Sequence, residues 1–101
     1  MISNYFTIEG KRKVLVRKEN EHYISFDPIN LDFYRINETA AEILYLVSVK
    51  KDLSEIIDYF INEYGLGRSY TKEMIKDFFE NFPLKNLIFT NLITLKFGEI
   101  L

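Results

Sequence analysis

Two carboxylates, Glu38 and Glu42, stand one helical turn apart, the least that general acid–base chemistry would ask for. Nothing in the sequence joins them. The chain has one histidine, His22, and no cysteine. That removes thiolate nucleophiles, iron–sulfur clusters, Cys-ligated zinc and His-pair metal motifs. Ser25, Ser48, Ser54 and Ser69 have no base at an activating spacing, and no Gly-rich loop is present to cradle phosphates. Glu38 and Glu42 therefore read as a solvated helix face, and His22 as a structural or surface residue in a strand among aromatics. The chain reads as non-catalytic and without a cofactor. The remaining concentration of chemistry is basic: Lys11-Arg12-Lys13, with Arg17 and Lys18 nearby. Such a cluster would meet phosphates if it were unpaired.

The 101 residues amount to one domain, with 48% hydrophobic and 28% charged residues, as in an ordinary globule. A formal charge of −2 argues against a dedicated nucleic-acid binder. The basic cluster follows, rather than precedes, a short and polar-interrupted N-terminal stretch, so no secretory signal is expected. No window approaches the ~20 apolar residues of a membrane span. A cytoplasmic protein with no membrane partner is expected.

The elements follow from periodicity. Residues 13–18, 22–27 and 31–36 are short, β-branched or aromatic runs separated by Glu19-Asn20-Glu21 and Pro28-Ile29-Asn30. They predict a three-stranded antiparallel meander. The period then changes. Asn37 or Thr39 caps a helix, Thr39 with Glu42 as a capping box, and Ala40, Ile43, Leu44 and Val47 share one face. Asp52, with Glu55 three residues on, opens a second helix that ends at Gly65. Ser69 or Thr71 caps a third, which runs to about Asn81 with Pro83 just beyond. Residues 87–97 alternate loosely, with Phe89, Ile93, Leu95 and Phe97 on one side, as a candidate further strand. The order predicts an α+β fold, a sheet with helices on one face.

The run Tyr34-Arg35-Ile36-Asn37-Glu38-Thr39-Ala40-Ala41-Glu42-Ile43-Leu44 resembles the strand-to-helix junction of the PqqD-like family. Leu53-Ser54-Glu55-Ile56-Ile57 with Tyr64, Ile75-Lys76-Asp77-Phe78-Phe79 and Leu87-Ile88 are similar to its second helix, third helix and closing aliphatic pair. The likeness covers about residues 13–88; residues 89–101 extend past the family's usual end. The turn Ser48-Val49-Lys50-Lys51-Asp52 lacks the glycine that family members often carry there. The resemblance implies a winged helix-turn-helix-like domain that recognises leader peptides of ribosomally made, post-translationally modified peptides. Its partners would be a precursor peptide and a separate modifying enzyme, of the radical SAM or cyclodehydratase type.

In that family reading the leader adds as a strand to the third strand, Leu31, Asp32, Phe33, Tyr34, Arg35 and Ile36, with the third helix as the opposite wall. Alternation places Tyr34 and Ile36 towards the helices, Phe33 and Arg35 away from them. On the third helix Met74, Ile75, Phe78, Phe79 and Phe82 span about 140° at 100° per residue. Ile75 and Phe79 are the first choices for the cleft, flanked by Lys72 and Lys76. The rival readings are a winged-helix DNA-binding regulator and a protein-interaction module acting through the C-terminal tail. The first is disfavoured by Glu73, Asp77 and Glu80, which offset the lysines of the third helix.

Overall fold

The protein is described by a computed structural model over residues 2–101. It is α+β: a four-stranded antiparallel sheet followed by four α-helices. The strands are β1 (Tyr5–Ile8), β2 (Val14–Glu19), β3 (His22–Asp27) and β4 (Asp32–Ile36), in the spatial order β1-β2-β3-β4. The helices are α1 (Glu38–Ser48), α2 (Leu53–Tyr64), α3 (Arg68–Asn81) and α4 (Phe89–Thr94), with short 3₁₀ turns at Lys85–Leu87 and Gly98–Ile100.

The strand count differs from expectation by β1. Its Tyr-Phe-Thr-Ile run alternates as a half-buried strand should, with Phe6 and Ile8 in the core, but four residues are too few to stand out in a sequence. In register, Phe6 faces Val16, Val16 faces Ser25 and Ser25 faces Tyr34, and this row points towards the helices. The neighbouring row, Tyr5, Arg17, Ile24 and Arg35, points away. One face of the sheet is thus packed and the other is left to solvent, the usual economy of antiparallel sheets.

Asn37, not Thr39, caps α1: its side chain accepts from the Ala40 N–H at 2.8 Å. Asp52 and Glu55 form a reciprocal capping box on α2, and Gly65 closes that helix in the left-handed region at φ 67°. Lys50 takes the left-handed position, φ 68°, that glycine would fill between α1 and α2, with the Lys51 N–H returning to the Leu46 carbonyl at 3.0 Å. The cap of α3 is Gly67 rather than Ser69 or Thr71; Thr71 is buried and bonds back to the Gly67 carbonyl. Leu31, expected in the third strand, belongs instead to the β3–β4 turn, at φ 60°.

The C-terminal run is not a strand. Ile88, Leu92 and Leu95 are buried at helical spacing, while Phe89 and Ile93 are exposed. The tail packs on the helices: Phe97 lies edge-on to Phe79 with centroids 5.5 Å apart, and the Leu95 carbonyl accepts from the Leu53 N–H at the start of α2. It also grips the β1–β2 turn. The Lys11 N–H donates to the Leu87 carbonyl at 2.7 Å, and the Asn91 amide to the Glu9 carbonyl at 2.6 Å. Gly10 permits this approach, because a Cβ there would lie 2.2 Å from the Leu87 carbonyl oxygen.

Candidate functional site: a groove between β4 and α3

β4 is an edge strand, paired on one side with β3 alone. The phase of the ladder decides which of its backbone groups are free. In a regular antiparallel sheet each residue sends its N–H and C=O to the same side, and successive residues alternate sides. The Lys18 N–H donates to the Asn4 carbonyl at 2.8 Å, so Lys18 bonds towards β1 and Arg17 towards β3. Arg17 pairs with Ile24, so Ile24 bonds back to β2, and its neighbours Tyr23 and Ser25 bond forward to β4. Tyr23 pairs with Ile36, Ser25 with Tyr34 and Asp27 with Asp32. Ile36, Tyr34 and Asp32 therefore bond inward. Phe33 and Arg35 are left with their N–H and C=O groups directed out of the sheet.

Beside this rim runs a groove of about 560 Å³. Tyr34, Arg35 and Ile36 form its strand wall, and Asn37, Thr39, Ala40 and Ile43 its floor at the start of α1. Met74, Asp77, Phe78 and Asn81 of α3 form the facing wall, closed at one end by Phe82 and Pro83. The four α3 residues follow i, i+3, i+4, i+7 spacing and so make one helical stripe. Phe78 is held by two neighbours: it stacks on Phe82 at 5.0 Å and meets Phe79 at 4.8 Å.

This corrects the expected helix wall. Ile75 and Phe79 are both 0% exposed and lie in the core, on the stripe shared with Thr71 rather than in the groove. Lys72 pairs with Glu99 at 3.3 Å and Lys76 lies 3.9 Å from Glu80; neither lines the groove. On β4, Tyr34 and Ile36 face the groove, and Arg35, whose side chain lies in the row that points away from the helices, borders it between them; Asp32 and Phe33 do not line it. Phe33 is 53% exposed on the far face, stacked on Phe26 at 5.0 Å. Leu31 stands exposed in the turn. Met74 and Phe78 belong to the same apolar band as Ile75 and Phe79, and periodicity alone does not say which margin of the band faces the groove. The polar members, Asp77 and Asn81, carried no signal except their spacing.

The rim is braced from the turn. Asp27 is 1% exposed by its side chain; it accepts from the Ile29 and Asn30 N–H groups and from the Arg12 guanidinium. The bond from Arg12 holds the Asp27 carboxyl below its ordinary value, against a burial effect of opposite sign. On the solvent face Arg35 bonds to Nδ1 of the exposed His22 at 2.7 Å. A guanidinium can only donate, so in this contact Nδ1 accepts.

The other sequence candidates lie elsewhere. The basic cluster is largely paired: Arg12 with Asp27, Lys13 with Glu9 at 3.8 Å, and Arg17 with Glu19 at 2.9 Å. Glu42 is not a solvated carboxylate. It is 6% exposed and accepts from the Tyr59 hydroxyl at 2.6 Å and the Tyr64 hydroxyl at 2.7 Å. Burial, then the bond to Glu42, pushes the Tyr59 phenol up; for Tyr64 the bond to Glu42 is the larger cause. No helix is long and apolar enough to cross a membrane among the described residues. No protein-family model, curated protein or solved structure matches the chain.

Proposed function

We propose that this protein is a non-catalytic peptide-recognition domain or chaperone. It captures the leader of a ribosomally made precursor by strand addition to β4 and presents it to a separate modifying enzyme. That enzyme, of the radical SAM or cyclodehydratase type, supplies the chemistry. In this reading the sheet with α1–α3 is a winged helix-turn-helix-type arrangement of the PqqD-like kind, and its site is the groove.

One observation carries the proposal: an edge strand leaves the main-chain groups of Phe33 and Arg35 unpaired, and Arg35 borders a groove whose far wall includes Met74 and Phe78. Main-chain pairing supplies affinity with little demand on sequence, and the groove selects among side chains. The C-terminal tail packs on the helices and the β1–β2 turn and leaves this rim uncovered. Holding a flexible substrate beside an enzyme raises its local concentration, so modest affinity suffices.

The test is titration of the full chain with peptides encoded beside its gene, read by residue-resolved amide shifts. Saturable shifts at Phe33 and Arg35, with side-chain shifts at Met74 and Phe78, are expected. Saturable binding whose shifts map to the paired basic cluster or to the tail would refute the reading.

A further inference from the structure

We infer that the guest segment carries an apolar–acidic–apolar pattern, with its two apolar side chains in the groove and the acidic one on the opposite face against Arg35. The inference rests on strand addition at β4 and specifies which peptides that edge selects.

A guest strand bonds to the outward N–H and C=O groups of Phe33 and Arg35. Whether it runs parallel or antiparallel, the guest residue in register with Arg35 projects to the same face as Arg35. That face is the solvent side of the sheet. The guest residues on either side of it project to the other face, the face of Tyr34 and Ile36, and so into the groove.

The two faces differ in chemistry. Groove-side residues meet Tyr34, Ile36, Met74 and Phe78, which are apolar or aromatic. The one carboxylate on the α3 wall is Asp77, and it repels an acidic side chain placed there. On the solvent side the sign reverses. Among the described residues Arg35 forms no ion pair; its side chain is bonded to His22, in a shallow cleft that also holds Glu21 and Glu38, whereas Arg12 and Arg17 each hold an acid. A guest carboxylate beside Arg35 gains a cross-strand ion pair, whereas a guest lysine meets a like charge.

The experiment uses the full chain and short Ser/Thr-rich synthetic peptides with a central Leu-Glu-Leu, Leu-Lys-Leu or Thr-Glu-Thr. Both Kd and the amide shifts of Phe33 and Arg35 are measured. Leu-Glu-Leu is expected to bind tightest. Exchanging Glu for Lys weakens binding about fivefold, from lost attraction plus like-charge repulsion across an exposed pair. Exchanging both leucines for Thr weakens it by at least about tenfold. Arg35→Glu is expected to reverse the Glu-over-Lys preference. Equal affinity for Leu-Glu-Leu and Leu-Lys-Leu, with the Phe33 and Arg35 amides still moving, overturns the pattern and leaves strand addition standing. If none of the peptides moves those amides, strand addition at β4 fails and the pattern falls with it.

Discussion

Proline separates an outward backbone donor from an inward one. Phe33→Pro removes an N–H that, by the ladder phase, points away from β3, so no bond of the sheet is lost. Tyr34→Pro, one residue on, removes an N–H that bonds to Ser25, a residue 0% exposed. The first change should leave stability close to that of a Phe33→Ala control, which accounts for the lost stacking on Phe26. Its effect should fall on the guest. One main-chain hydrogen bond is worth about 0.5–1.5 kcal/mol net, or roughly 2- to 12-fold in Kd, beyond the Ala control. Tyr34→Pro leaves a buried carbonyl without its donor and discards a half-buried ring, a loss of about 2–4 kcal/mol of folding free energy. That is a large share of the stability of a small domain. Urea unfolding gives the stability and titration with the Leu-Glu-Leu peptide gives the affinity. If Phe33→Pro unfolds the chain as readily as Tyr34→Pro, the ladder phase derived above is wrong. If Phe33→Pro folds and binds as well as Phe33→Ala, guests do not use this rim.

Other perturbations probe the remaining parts. Met74→Ala and Phe78→Ala should weaken peptide binding and cost less stability than Phe79→Ala, which should cost ~3–5 kcal/mol as a core truncation; the opposite ranking in paired unfolding and binding curves would exchange the two helix faces. Asp27 has a folded pKa below its ordinary 3.8, so its stabilisation is present above that value and is lost as pH falls through the folded pKa. Arg12→Leu should therefore be less stable than the parent at neutral pH, with the gap narrowing on acidification; a gap that does not change with pH in urea curves would deny the coupling. In absorbance titration of the phenols, Tyr59 and Tyr64 should ionise late. Glu42→Gln should bring Tyr64 back further than Tyr59, since burial still acts on Tyr59, and equal shifts would contradict that division of causes.

The parts of the fold that were legible in the sequence are those with local signals that agree. α2 has a capping box, a left-handed glycine at its end and an unbroken apolar stripe, and nothing distant could change that reading. β1 has only four residues, and its partner strand comes after a turn whose glycine matters for contact with the tail rather than for the turn. The C-terminal run defeats periodicity for another reason. Its apolar residues are dense enough to fit a period of 2 or 3.6, and only burial of Ile88, Leu92 and Leu95 decides between them. The strand side of the groove was visible because alternation separates Tyr34 and Ile36 from Phe33 and Arg35. The helix side was not. α3 carries two adjoining apolar stripes, and which one is core depends on Phe97 docking against Phe79, a contact between segments far apart in sequence.

That docking has a practical consequence for where the polypeptide can be cut. The resemblance read from the sequence ends near residue 88, and a fragment cut there would keep every residue on which it rests. It would nevertheless forfeit the carbonyl that engages the first turn of α2, and it would uncover Phe79 by removing Phe97. It would also release the strap that holds the β1–β2 corner. A shortened version should therefore be judged by its melting curve before any loss of peptide affinity is assigned to the groove.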